Sequence, residues 1–136
     1  MKFNPYLLFN GQCESAFKFY EKCLDGKIVA MMPHEGTPAE SHVAPEWKKK
    51  ILHAALAIGD NLLMGSDAPP DQYKTPQGFS VTVQIKDPTT AERTFQELAE
   101  GGTVQMPLQE TFWASRFGMV VDRFGTPWMI NCEKAA

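Results

Sequence analysis

The side chains in this chain that could carry acid–base or metal chemistry are few and far apart in sequence. Its three histidines are His34, His42 and His53, and Glu35, Glu40 or Asp67 could complete an unorthodox metal or proton-transfer site with them. His34 and His42 stand in a polar stretch, where solvated side chains are the default expectation. His53 stands in Leu52-His53-Ala54-Ala55-Leu56-Ala57-Ile58, whose alternation puts it on one face with Ala55 and Ala57. A strand histidine is more often a hydrogen-bonded packing residue than a catalyst, so both readings are carried forward. Asp67 and Glu133 fall near the ends of two hairpins, where paired carboxylates could exchange protons or simply be solvated. Arg116, beside Phe112 and Trp113, suits a planar or anionic ligand through stacking and bidentate hydrogen bonds. The competing reading is a salt bridge with Asp122 or a glutamate. Cys13, Cys23 and Cys132 lack CxxC spacing, which argues against a zinc cluster and a disulfide framework; burial is expected of Cys13 and Cys23, which fall on an apolar helix stripe.

Periodicity supplies the elements that must position these groups. Tyr6-Leu7-Leu8-Phe9 reads as a short buried strand. Gln12 to Leu24 places Cys13, Ala16, Phe17, Tyr20, Cys23 and Leu24 on one helical face, with Gly26 as the stop. Lys27 to Met32 is a strand ended by Pro33, and His34 to Lys50 is a long polar excursion. Leu52 to Ile58 and Leu62 to Met64 form a hairpin across Gly59-Asp60-Asn61. After a linker-like stretch from Ala68 to Gly78, Phe79, Val81, Val83 and Ile85 alternate with Ser80, Thr82 and Gln84. Asp87-Pro88 then opens a helix burying Ala91, Phe95, Leu98 and Ala99, which stops at Gly101-Gly102. Thr103 to Leu108, Arg116 to Val121 and Trp128 to Cys132 are three further strands, with Trp128 turned toward its helix as a core residue and Met129 away from it.

These elements repeat. Ala16, Tyr20, Gly26 and Val29 match Ala91, Phe95, Gly101 and Val104 at an offset of 75, and Asn61 to Ser66 falls beside Thr126 to Asn131 at an offset of 65. Each half is strand, helix, strand, strand, strand. The expected class is α+β: two tandem β-α-β-β-β modules whose sheets curl around a cleft, each helix covering one sheet face. The expected boundaries are one domain over 1–136, with module one about 1–67, a linker about 68–78 and module two about 79–136. A duplicated unit tends to place its chemistry between its copies.

The β-α-β-β-β duplication, Tyr6-Leu7-Leu8-Phe9-Asn10-Gly11, Ala16-Phe17-Lys18-Phe19-Tyr20, Leu62-Leu63-Met64-Gly65-Ser66-Asp67, Trp113-Ala114-Ser115-Arg116-Phe117-Gly118 and Asp122-Arg123-Phe124-Gly125 together resemble PhnB-like proteins. These belong to the glyoxalase/bleomycin-resistance/dioxygenase superfamily, the vicinal oxygen chelate fold. In metal-dependent members, the resemblance implies, His and Glu on the first and last strands of each repeat hold a divalent ion. Carried onto this chain, those positions are Pro5 or Tyr6, Met64, Ser80 and Met129, none a usual ligand. The resemblance also brings a 3-demethylubiquinone 3-methyltransferase label borne by some relatives. No glycine-rich turn between a strand and a helix supports it here.

With 136 residues the chain can bury about two-thirds of its unfolded surface as one domain. A net charge of −3 leaves no basic footprint for nucleic acid, and Lys48-Lys49-Lys50 reads as a solvated cationic run. The N-terminal apolar run is too short for a signal peptide or membrane helix, so a soluble, cytoplasmic protein without membrane or nucleic-acid partners is expected. The leading functional expectation is metal-free binding of a small, partly apolar or planar molecule, with no cofactor, in a cleft lined by Phe9, Met64, Ser80, Thr82, Trp113, Arg116 and Met129. One alternative is a metal-dependent isomerase, lyase or dioxygenase around His53, with Asp67 and Glu133 as further catalytic candidates, so a divalent metal stays open. Another is a dimeric scaffold with a vestigial cleft. Homodimerisation is expected from the resemblance and from sheet edges that need covering.

Overall fold

A computed structural model of the chain describes residues 1–135; Ala136, the last residue of the second module as delimited from sequence, lies outside the described residues. The chain divides into two compact units, Met1–Lys74 and Thr75–Ala136. Each has the expected β-α-β-β-β order.

Unit one contains β1 (Tyr6–Phe9), α1 (Cys13–Cys23), β2 (Lys27–Pro33), β3 (Ile51–Ile58) and β4 (Asn61–Asp67), in the sheet order β1-β4-β3-β2. β1 runs parallel to β4, while β3 is antiparallel to both β4 and β2. α1 forms because Cys13, Ala16, Phe17, Tyr20 and Cys23 recur at three- and four-residue intervals, and all five are buried. Beneath them lie Leu7 and Phe9, with the Phe9 ring centroid 6.1 Å from that of Phe17 and 6.3 Å from that of Tyr20. Burying each such ring contributes about 2 to 3 kcal/mol, so this aromatic cluster dominates the unit's core.

The end of α1 differs from the expectation. The left-handed residue is Asp25, at φ 50°, and not Gly26. Gly26 is required for space: a Cβ there would meet the Ala57 carbonyl oxygen and the Ile58 side chain, each at 2.9 Å. The 34–50 excursion holds two short 3-10 turns, Pro38–His42 and Pro45–Trp47. It is more firmly anchored than solvated loops are. His34 is buried and its Nδ1–H donates to the Lys50 carbonyl at 2.8 Å, which corrects the expectation of a solvated side chain. Lys50 is likewise only half exposed, its Nζ donating to the Gly11 carbonyl at 2.9 Å.

Unit two contains β5 (Val81–Gln84), α2 (Pro88–Ala99), β6 (Thr103–Gln109), β7 (Ala114–Val121) and β8 (Pro127–Glu133), in the order β5-β8-β7-β6. β5 is parallel to β8, as β1 is to β4. Asp87 caps α2, accepting from the Thr90 amide at 2.9 Å and the Thr90 hydroxyl at 2.8 Å, with Pro88 in the first turn. Ala91, Thr94, Phe95 and Leu98 form its buried stripe. Trp128 is buried, as expected, and its indole N–H donates to Asp122 Oδ2 at 2.8 Å. The other Asp122 oxygen accepts from the Phe124 and Thr126 amides at 2.7 and 3.1 Å. Asp122-Arg123-Phe124-Gly125 is thus a side-chain-closed turn that latches the principal core tryptophan.

All three cysteines are buried and free. Among the described residues, no helix is long and apolar enough to cross a membrane.

Candidate functional site

The helix covers one face of each sheet, and alternation then fixes which side chains occupy the other. In unit one, Gly65 marks the covered face, since a Cβ there would lie 2.9 Å from the Phe17 ring. Its neighbour Met64 therefore faces away from α1, opposite Tyr6 on β1 and Ala55 on β3. Leu8 shares that face by alternation, as does His53, whose partner on β2 is Met32. Tyr6, Leu8 and Met32 are each about half exposed. Across β4, Tyr6 Oη and His53 Nδ1 lie 3.2 Å apart, and their rings stack at 5.8 Å with a 28° interplanar angle.

In unit two, Gly118 marks the covered face, because a Cβ there would lie 2.7 Å from the Phe95 ring. Met129 faces away, opposite Thr82 on β5 and Met119 on β7. One step along, Asn131 lies opposite Gln84 and Phe117, and its Nδ2 donates to Gln84 Oε1 at 2.7 Å while its own Oδ1 is buried without a partner. Trp113 packs edge-on against Phe117 at 5.3 Å and against Phe112 at 4.8 Å.

Met64 and Met129 thus hold the same register position in the two units, as the internal repeat implies. Both are partly exposed, both lie on the helix-free face, and both pair in parallel with the unit's first strand. The first-strand partners are Tyr6 and Thr82. Pro5 precedes β1 and offers only its carbonyl, which accepts from the Met64 amide at 3.1 Å. Ser80 lies just outside β5, which begins at Val81.

Two expected site residues stand elsewhere. Phe9 is 2% exposed and packed beneath α1, so it is a core residue. The apolar run Tyr6-Leu7-Leu8-Phe9 gives the alternation but does not say which face is covered. Arg116 points to the helix side, its Nε donating to Glu92 of α2 at 2.9 Å, so the salt-bridge reading applies. Unbroken pairing from Arg116 to Gly118 puts Arg116 on the same covered face as Gly118.

The carboxylate candidates also separate. Asp67 is buried and accepts from the Cys13 amide at 2.9 Å and the Ile51 amide at 2.8 Å, which makes it a structural acceptor joining α1 to β3. Glu133 is exposed at the end of β8. His42 is exposed, as expected. Burial, reinforced by the Asp67 and Glu14 charges, pushes the Cys13 thiol far above its ordinary range; this opposes the usual effect of a helix N-terminus and keeps the sulfur protonated. The alternation of β5 turns Gln84 away from the helix, but Phe117, Met119 and Asn131 are not found from sequence. The signal for them was parity with Met129 across the β7–β8 register, which needs the pairing to be known.

The divalent ion implied by the resemblance needs carboxylate and imidazole donors. Phenol, hydroxyl and thioether groups at Tyr6, Thr82, Met64 and Met129 do not fit it. Around His53, the neighbouring strands contribute Tyr6 and Met32, with no acid beside the imidazole in either pairing. Among the described residues, no three His, Cys, Asp or Glu side chains converge on a point that could hold a metal. A separate shallow, open concavity of about 480 Å³ lies on the 34–50 excursion, lined by Thr37, Glu40, Val43 and Lys48 among others.

The family model described as 3-demethylubiquinone-9 3-methyltransferase matches residues 1–131. Protein YjdN of Escherichia coli is 33% identical over 98% of this chain and 97% of its own length. Protein PA1353 of Pseudomonas aeruginosa superposes with a TM-score of 0.90 at 46% identity, covering 99% of both chains. The PhnB protein of Bacillus cereus does so with a TM-score of 0.81 at 22% identity, covering 97% of this chain and 99% of its own. The chain therefore belongs to the family whose model is described as 3-demethylubiquinone-9 3-methyltransferase, and its two mixed four-stranded sheets of β-α-β-β-β order share the fold of the PhnB protein.

Proposed function

We propose that this PhnB-like protein binds a small, partly apolar or planar molecule on its helix-free sheet faces and does so without a divalent metal. The observation that carries the reading is the repeated methionine. At equivalent register positions of the two units this chain has Met64 and Met129, beside Tyr6 and Ala55 in one case and Thr82 and Met119 in the other. Thioethers are polarizable, flexible and apolar, suited to the face of a flat molecule and ill suited to a hard cation. Trp113 and Phe117 extend the unit-two face with aromatic surface.

The family description names a methyl transfer. Neither strand-to-helix junction, Asn10-Gly11-Gln12 or Lys86-Asp87, has the glycine-rich turn that seats a nucleotide-containing methyl donor, so binding is the reading preferred here. The test is overnight dialysis against zinc, nickel, manganese or iron followed by elemental analysis. Far less than one metal per chain is expected. Stoichiometric metal that disappears in His53→Ala would overturn the metal-free reading and favour an enzyme centred on His53.

A further inference from the structure

We propose that the Tyr6–His53 pair is a polar anchor within the apolar face of unit one, and that its ligand is a flat molecule carrying a hydrogen-bond-accepting oxygen such as a carbonyl. This rests on the binding reading above and adds the chemistry of the ligand.

Apart from the Ser66 hydroxyl, which its pairing with Leu8 and alternation from Met64 put on the same face, the surroundings of the pair are apolar. Leu8, Met32, Met64 and Ala55 are its neighbours by register or alternation, and the first two are about half exposed. Such a surface attracts apolar rings but cannot orient them. The contact between Tyr6 Oη and His53 Nδ1, at 3.2 Å, supplies the orientation. A phenol hydroxyl is a stronger donor than a neutral imidazole N–H, so the tyrosine donates to Nδ1 and the imidazole proton resides on Nε2. That N–H is the pair's remaining donor. The ring stacking, 5.8 Å between centroids, limits rotation of the imidazole and fixes where Nε2 points. Tyr6 is therefore a positioning residue, and His53 Nε2 is the group that touches the ligand.

Methionine is the core of the contact and also its reporter. With 13C-methyl methionine in the full chain, 2-acetylnaphthalene and 2-ethylnaphthalene are titrated while the Met32 and Met64 methyl signals are followed. The two probes have nearly the same shape and differ in one carbonyl oxygen. The ratio of their dissociation constants, in favour of the acetyl compound, is expected to fall about tenfold in His53→Phe, with the ethyl compound's affinity unchanged. In Tyr6→Phe the fall is smaller, and the His53 15N shifts move from the Nε2–H form toward a mixture of tautomers. An unchanged ratio in His53→Phe, with both probes still bound, overturns the anchor and leaves the apolar binding face standing. Failure of either probe to perturb Met32 or Met64 in the wild-type protein overturns both.

Discussion

The two helix N-termini solve the same problem with different parts of the chain. At α2 the acceptor is local: Asp87, immediately before Pro88, bonds the Thr90 amide three residues ahead. At α1 Gln12 occupies the capping position without a side-chain cap, and the first amide, that of Cys13, is met by Asp67 at the end of β4. The same carboxylate also bonds the first amide of β3. The local cap stabilises one helix; the distant one ties a helix to two strands. An aspartate's role is therefore set by which amides its chain brings to it, and the buried one should matter more.

Replacing the two aspartates separately tests this directly. Asp67→Ala leaves two buried donors without an acceptor and should cost about 3 kcal/mol or more by urea denaturation, at ~1 to 3 kcal/mol for each orphaned donor. A loss below about 1 kcal/mol would break the distinction. The glycines that mark the covered sheet faces come next. Gly65→Ala forces a methyl against the Leu7 carbonyl oxygen at 2.7 Å, and Gly118→Ala against the Phe95 ring at 2.7 Å. Each should cost about 1 to 3 kcal/mol, the Gly65 change more, since a backbone oxygen yields less than a side chain.

The thiol beside the distant cap gives a kinetic readout. Held protonated by burial and by the Asp67 charge, Cys13 should resist iodoacetamide at pH 8 in the native protein and react fully in urea, as peptide mass spectrometry would show. The smallest effect belongs to the exposed cap. Hydrogen bonds from Thr90 hold the Asp87 carboxyl below its usual value of 3.8, so its contribution is present above that pH and fades as pH falls through the lowered value. Asp87→Ala should therefore lower the melting temperature slightly at pH 7, and the difference from wild type should close under strongly acidic conditions. A difference that persists there would assign the effect to something other than the carboxylate.

The wiring was legible from sequence because it depends on short-range pattern. The stripes of α1 and α2, the Asp87-Pro88 start and the alternation of β5 depend on residues within a few positions of one another, and the structure has them, except that Thr94 and not Ala99 is buried on α2 and Leu24 follows α1 as a partly exposed residue. The candidate site was only half legible. Alternation in β3 put His53 with Ala55 and Ala57, but nothing in sequence brought Tyr6 to its ring across an intervening strand. Phe9 belongs to the covered face, which four consecutive apolar residues, Tyr6 to Phe9, do not reveal. For Arg116 the sequence leaves ligand binding and a salt bridge both open, and the packing of α2 on β7, which brings Glu92 to it, decides for the salt bridge.

By itself the sequence determined a duplicated β-α-β-β-β chain and the equivalence of Met64 with Met129, since repeats and periodicities are properties of order along the chain. Tertiary structure alone decided that Asp67 is an acceptor for two backbone amides, that His34 is buried, that Arg116 serves α2, and that Tyr6 meets His53. Each of those depends on strand pairing and register between distant segments, and a shift of one residue would send every side chain involved to the opposite face.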